Sequence, residues 1–295
     1  MPELPEVETL KRELSRAVIG LQVKKTQVLW PKTVAPLSVK VFEKEIVGRK
    51  IKSVSRQAKI LIIDFTDSTA LAIHLKLTGQ LIFVPPPTTV IKKSPMTVVG
   101  GHPDNQMIEK QPSKYTRIIF EFTDGSHLYF NDLRKFGWVR LVDDTQLKDL
   151  TKHLGLEPLS KLFTDQALTD IFKHYPNRTI KQILLDQTLI AGIGNIYADE
   201  SCFLAKLLPT RKAQTLKPTQ IKKLREKIIA VLKLSIKKKG TSSRDYRQSD
   251  GSLGGFVPHI KVYGRAGQPC QVCGRPIQKI RHAGRGTHFC QYCQK

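Results

Sequence analysis

The residues best suited to chemistry in this chain are four cysteines near its C-terminus: Cys270, Cys273, Cys290 and Cys293. They form two Cys-x-x-Cys knuckles with residues 274–289 between them. Each knuckle sets two thiolates on one side of a tight turn, and two knuckles close a tetrahedron of the kind zinc prefers. With sulfur in all four positions no place remains for a reacting water, so the ion would be structural. Two disulfides are the alternative, and they require an oxidising compartment. About 40 terminal residues bury too little apolar surface to fold alone, so metal binding would supply the missing free energy. Between the knuckles lie Lys279, Arg281, His282, Arg285 and His288. A basic hairpin held by zinc suits a phosphate or a nucleic-acid groove, with Arg285 near its Gly284-Arg285-Gly286 tip. Cys202 is left over and reads as a buried helical cysteine.

A second constellation is Ala191-Gly192-Ile193-Gly194-Asn195. The glycines allow close backbone approach, Asn195 is a natural helix N-cap, and the free N–H groups of a helix start bind phosphate. A dinucleotide fingerprint fits poorly, because a helix rather than a strand precedes the glycines and a third glycine is missing. A purely structural helical hairpin stays open on this feature alone. The third constellation is the start, Met1-Pro2-Glu3-Leu4-Pro5-Glu6. Pro5 suits a first helical turn, and Glu6 and Glu8 suit the positive end of the helix dipole. Val7, Leu10, Leu14 and Val18 then recur at helical spacing up to Gly20. The first residues therefore sit at a helix N-terminus.

These groups need a frame. From Val23 to about Val142 short β-branched and aromatic runs alternate with turn signals, which predicts a β-sandwich. Residues 84–113 break that rhythm and predict a long surface loop. Helices are expected over 146–154, 165–175, 179–190, 195–207 and 218–237. Residues 240–256 are rich in Gly and Ser and predict a mobile loop. The fold class expected is α+β multidomain: an N-terminal β-sandwich flanked by helices over 1–140, a helical domain over 141–256, and a zinc-finger β-hairpin over 257–295.

Composition narrows the partners. Of 295 residues, 49 are Lys or Arg and 25 are Asp or Glu, a formal charge of +24. Such a charge repels itself in a compact fold unless a polyanion is a partner. No apolar run approaches the roughly 18 residues of a membrane span. The acidic first residues are unlike a secretion signal, so a cytoplasmic protein is expected.

The string Pro2-Glu3-Leu4-Pro5-Glu6-Val7-Glu8-Thr9 resembles the bacterial formamidopyrimidine-DNA glycosylase family. Further blocks resemble it in the same order: Asn131-Asp132-Leu133-Arg134-Lys135-Phe136-Gly137, Leu154-Gly155-Leu156-Glu157-Pro158-Leu159, Ile180 to Glu200, and Val262-Tyr263-Gly264-Arg265 leading into the cysteines. The resemblance implies a β-sandwich, a helix-two-turn-helix domain and a zinc finger holding one structural Zn2+. It also implies a monomeric base-excision repair enzyme that acts on double-stranded damaged DNA at the nucleoid, removing oxidised purines and nicking the strand. Pro2, freed by loss of Met1, would be the nucleophile. Glu3 would be the acid–base group, Lys59 the catalytic lysine, and Glu6 a support for the terminus. Leu77, Arg134 and Phe136 would fill the gap left by the flipped nucleotide. His74, Lys181, Asn195, Tyr263 and Arg285 would hold DNA, and residues 241–256 would cap the lesion.

The chain departs from the family pattern in three places besides its charge. Leu77 stands where methionine is usual, with similar volume. Lys114-Tyr115-Thr116-Arg117 replaces a histidine-rich string, and the 84–113 loop is longer. Two rival readings are a sister enzyme of endonuclease VIII type, for oxidised pyrimidines, and a non-catalytic binder of damaged DNA.

Overall fold

A computed structural model describes residues 1–86, 98–101, 111–241 and 255–295. Its contacts group the chain into two compact units: Met1–Lys152 with Lys238–Val257, and His153–Lys237 with Pro258–Lys295.

The first unit opens with α1 (Leu4–Val18), whose apolar stripe Val7, Leu10, Leu14 and Val18 is buried. The strands that follow are β1 (Val23–Val28), β2 (Ile51–Gln57), β3 (Ile60–Phe65), β4 (Thr69–His74), β5 (Gly79–Val84), β6 (Val98–Gly101), β7 (Thr116–Phe122), β8 (His127–Asp132) and β9 (Trp138–Asp143). They form two antiparallel sheets, β1-β7-β8-β5-β6 and β2-β3-β4-β9. Side chains alternate across each strand, so Leu61 and Ile63, Leu71 and Ile73, and Phe120 and Phe122 meet α1 in one apolar core.

Four details of this unit differ from the sequence reading. Helix α2 (Val39–Ile46) interrupts the strand-like region. Its start is capped by Ser38, and Glu43 Oε1 accepts the Val28 N–H at 2.7 Å. Within the expected 84–113 loop, β6 adds an edge strand to β5, because a strand edge offers unpaired backbone donors and acceptors that even a Gly-Gly end can meet. The rest of that loop, 87–97 and 102–110, and most of the expected capping loop, 242–254, lie outside the described residues. Helix α3 (Asp144–Thr151) packs on β4 and β9 and stays with the sandwich, so the first unit runs past the expected boundary at 140. The described ends of the 241–256 loop also fall in this unit rather than in the helical one. Thr241 pairs with Gly255, and Gly255 N donates to Lys238 O at 3.0 Å.

The second unit holds α4 (Asp165–His174), α5 (Ile180–Leu185), α6 (Asn195–Ala205), α7 (Pro218–Lys237) and the hairpin of β10 (Gln278–His282) and β11 (Arg285–Phe289). The helix expected over 179–190 ends early. Asp186 takes an extended backbone, and its Oδ1 accepts from both Thr188 N and Thr188 Oγ1, an Asx-turn that outcompetes a further helical turn. In α7, Ile221, Leu224, Ile228, Val231 and Leu232 face inward along an amphipathic stripe.

Candidate active site and zinc centre

The N-terminal turn is tied to itself and to the chain's return. Pro2, Glu3 and Glu6 are all buried. The Glu6 carboxylate accepts the Glu3 N–H at 2.9 Å through Oε2. Its Oε1 accepts Thr241 N at 2.9 Å and Thr241 Oγ1 at 3.0 Å. Gly240 makes this approach possible: its φ is +86°, and a Cβ there would sit 3.1 Å from Glu6 Oε1. Glu6 thus ties the chain's first turn to Thr241, 235 residues further on. Thr241 and Gly240 had no signal in the sequence beyond their place at the edge of a Gly/Ser-rich segment.

One rim of the sandwich gathers most of the remaining first-unit candidates. Gln57 pairs with Ile60, Ile60 with His74, His74 with Trp138, and Gly79 with Asp132. The turns at this rim therefore carry Lys59, Leu77, and Leu133 to Phe136. Lys59 is only 5% exposed and sits in a two-residue turn beside Ala58, which takes the left-handed region at φ 50°. Strand pairing sets Ile60 beside His74, and Lys59 lies one residue away. Burial first, then the charges of Lys76 and Lys59, push His74 down to about 3. His74 is therefore neutral near pH 7. Its Nδ1 accepts the Lys76 N–H at 2.9 Å, so the ring proton is on Nε2, a donor suited to a phosphate oxygen.

The turn holding Arg134 and Phe136 is fixed from beneath by Asp132, which is 1% exposed. Asp132 Oδ1 accepts from Thr78 Oγ1 and from Arg134 N, and Oδ2 accepts from Gly137 N at 2.7 Å. Thr78 Oγ1 also accepts Arg134 N at 2.9 Å. The same pair thereby joins the Leu77 turn to the Arg134 turn. Gly137 is required, since a Cβ would meet Phe130 Cζ at 2.7 Å. Above this base Phe136 is 55% exposed and Arg134 lies over its ring at 4.9 Å. Lys135, at φ 60°, places its ammonium 3.8 Å from the Trp30 ring centroid. An exposed aromatic held up by a buried carboxylate is suited to insert between bases. Asp132 and Thr78 were missed as functional residues because a buried Asp in a strand end carries no periodic signal.

In the second unit the expected N-cap moves by one. Gly194 is the N-cap of α6, and Asn195 is its first residue. The Asn195 amide instead donates to Gly286 O at 2.9 Å. Lys181 is fully buried: its ammonium donates to Asp199 Oδ1 at 2.6 Å and to Gly286 O at 3.0 Å, inside the protein. Asp199 Oδ2 accepts the His288 N–H at 2.9 Å. Glu200, next along α6, accepts the N–H groups of Lys261, Val262 and Tyr263 at 2.8–2.9 Å. Burial pushes Glu200 up while those three N–H groups pull the other way. The Tyr263 ring meets His288 edge-on at 5.0 Å. Ala283 and Gly284, both at positive φ, form the hairpin turn, so Arg285 opens β11 and is exposed.

The four cysteine sulfurs lie within 4.8 Å of one another, with Cys270–Cys293 at 3.9 Å and Cys273–Cys290 at 3.5 Å. Zinc–thiolate bonds of about 2.3 Å in a tetrahedron set sulfurs about 3.8 Å apart, so this set fits zinc. Burial first, then hydrogen bonds with the sulfurs of Cys273, Cys290 and Cys270, push the Cys293 thiol up to about 12. Cys202 is fully buried in α6, where burial raises its thiol. Among the described residues no helix is long and apolar enough to cross a membrane.

Comparison with known proteins agrees with this geometry. The formamidopyrimidine-DNA glycosylase N-terminal domain matches residues 1–139, the H2TH domain of the same enzymes matches 154–247, and the zinc finger found in FPG and IleRS matches 267–295. The chain is 38% identical to the formamidopyrimidine-DNA glycosylase of Pelotomaculum thermopropionicum, over 100% of this chain and 99% of the relative. It superimposes with a TM-score of 0.86 at 33% identity on a Lactococcus lactis FPG mutant in complex with Fapy-dG containing DNA, with 100% of both chains covered. The Lactococcus lactis Fpg complex with abasic-site DNA gives 0.85 at 33% identity, over 99% of each chain. Since these domain matches run along most of the chain and a relative is 38% identical over its full length, the protein belongs to the formamidopyrimidine-DNA glycosylase family.

Proposed function

We propose that this protein is a bifunctional glycosylase and abasic-site lyase of base-excision repair, acting on oxidised purines in duplex DNA. The observation that carries the reading is the N-terminal turn, where the Glu6 carboxylate clamps the backbone of Glu3 and so holds Pro2 in place. Removal of Met1 leaves Pro2 with a secondary amine. An α-amino group titrates near 7.7–8.0, so a useful fraction is neutral at pH 7. That nitrogen attacks C1′ as the bond from C1′ to the base breaks, and the departing base keeps the bonding pair and takes up the proton the amine releases. Glu3 delivers a proton to the ring oxygen as the sugar opens, leaving an iminium between Pro2 and C1′. The iminium accepts electrons as C2′ loses a proton and the 3′ phosphate leaves. The 5′ phosphate departs in a second elimination.

Lys59 contacts the backbone beside the lesion. A stacked base cannot be attacked, so the nucleotide is flipped out. Leu77 and Phe136 fill the stack and Arg134 meets the orphaned partner base. His74, Asn195, Tyr263 and Arg285 are proposed DNA contacts. Lys181 serves the same surface indirectly: its charge is committed to Asp199, and it holds the Gly286 carbonyl beside Arg285. The sandwich unit supplies the chemistry and, through 241–256, the lesion cap; the helices of 153–237 supply DNA contacts, and 258–295 the zinc-held reader. A monomer in the cytoplasm, at the nucleoid, suits a single asymmetric lesion.

The test is borohydride trapping on a duplex carrying 8-oxoguanine opposite cytosine. Mature protein is expected to form a covalent adduct and cut the strand, and Pro2→Gly to lose most of both. Binding without an adduct, after confirmed loss of Met1, would leave only a damage binder. Faster turnover of a thymine glycol duplex would move the protein to the pyrimidine branch.

A further inference from the structure

The proposed catalytic groups stand on two separate elements. Pro2 and Glu3 sit at the start of α1, and Lys59 sits in the turn between β2 and β3. Among the described residues, the buried side chain of Arg56 joins the two elements. The Arg56 side chain is 8% exposed; its Nε donates to Glu8 Oε2 at 2.9 Å, and its Nη1 donates to Ala58 O at 3.1 Å. Glu8 lies on α1 a little over one turn beyond Glu3, and its Oε1 accepts from Arg12 at 2.8 Å and Lys11 at 3.4 Å. Burial would raise this carboxyl, but the Arg56 and Arg12 guanidiniums hold it below the usual carboxylate range. Ala58 is in the left-handed region, which a residue with a Cβ adopts only when its surroundings require it. A guanidinium donates in a fixed planar fork, so bonds to Glu8 and to Ala58 O lock the turn to the helix in one orientation.

We infer that Arg56 is a positioning residue, setting the Lys59 turn against the helix that carries Pro2 and Glu3. The inference rests on the glycosylase reading above. An ion pair that only stabilised the fold would need charge compensation for Glu8 and nothing more. A positioning fork needs both donors at once.

Arg56→Lys separates the two. A lysine ammonium still neutralises Glu8 but presents a point charge on a flexible stem, without the fork that reaches Ala58 O. Single-turnover cleavage of the 8-oxoguanine duplex is expected to slow by about 10- to 100-fold, since a misplacement near 1 Å costs up to about that much. The melting temperature and the affinity for a duplex with an uncleavable abasic analogue are expected to change little, the latter by less than about threefold. Glu8→Gln removes the charged anchor while keeping an acceptor, and is expected to slow cleavage less. The double variant is expected to be no slower than Arg56→Lys alone, because both act through one link. Cleavage by Arg56→Lys at the wild-type rate, rate and affinity falling together, or multiplying losses in the double variant would each overturn the inference. Cleavage by the wild-type protein in the same assay keeps the enzymatic reading separate: its failure would sink that reading, whereas an unaffected variant sinks only the role of Arg56.

Discussion

The N-terminal turn and the zinc hairpin both rely on buried charge, but they are held in different ways. The turn belongs to a unit whose core runs through α1 and both sheets, from Val7 and Leu10 to Phe120, Phe130 and Val139. Its polar clamp, Glu6 with Glu3 and Thr241, adds direction to a frame that is already stable. The hairpin packs on a much smaller cluster of Phe203, Val262, Cys270, Ile277 and Cys290, two of which are zinc-site cysteines. Its place depends on metal, on Lys181 and Asp199, and on Gln294, whose side chain accepts Cys290 N at 2.8 Å and donates to Leu207 O at 2.7 Å. Where apolar area is plentiful, charge can be spent on chemistry. Where it is scarce, metal and charge must hold the fold.

Zinc removal gives the largest effect. Structural zinc contributes about 10–16 kcal/mol in isolated finger peptides. Chelation, or Cys290→Ser, is expected to abolish hydrogen-exchange protection over 267–295 and to weaken duplex binding by more than about 100-fold. Protection of α1 and β3 is expected to persist; parallel loss there would break the contrast between the two regions.

Next is the buried pair. Lys181→Met or Asp199→Ala leaves one uncompensated charge and is expected to cost about 3–5 kcal/mol by denaturant unfolding, with much of it restored in the double variant Lys181→Met with Asp199→Leu. Because the Lys181 charge is taken up internally, Lys181→Met should leave the slope of log affinity against log salt unchanged, whereas Arg285→Ala should lower it by about one. An equal change for both would return Lys181 to the phosphate contacts.

A smaller loss is expected at the turn that carries Phe136. Thr78→Val or Asp132→Asn removes a bond from the staple under Arg134 and should destabilise by about 1–3 kcal/mol. Excision should fall more than binding to undamaged duplex does. The smallest effect concerns pH. His74 is held at about 3 against an unperturbed 6.5, so the unfolded chain binds the extra proton first. Its contribution to stability is complete above about 6.5 and is lost as pH falls towards about 3. His74→Gln should flatten the decline of melting temperature between pH 7 and 5; an unchanged decline would argue against a neutral His74.

Much of this was legible in the residues. The cysteine spacing fixed a metal geometry, because a four-sulfur tetrahedron admits few arrangements of two short turns. The stripe of α1 and the alternation of the strands followed from periods of 3.6 and 2, which local sequence carries directly. The family blocks alone nominate Pro2, Glu3 and Lys59 for the proposed chemistry. What failed at that level was long-range or competitive. The end of α5 at Asp186 turned on an Asx-turn prevailing over helical propensity, and α2 was hidden in a strand-rich stretch. The N-cap falls at Gly194, and the Asn195 amide instead bonds Gly286, a residue 91 positions away in the chain.

The sequence by itself determined which groups could react, which could bind zinc, and what sign of partner so basic a chain requires, since these follow from residue type and short spacing. Only the tertiary structure decided that Glu6 reaches Thr241, that Asp132 staples two turns, that Lys181 is buried on Asp199, and that Arg56 ties Glu8 to the Lys59 turn. Hydrogen bonds between residues far apart in the chain depend on orientation to within a fraction of an ångström, and no local pattern of residue types encodes that.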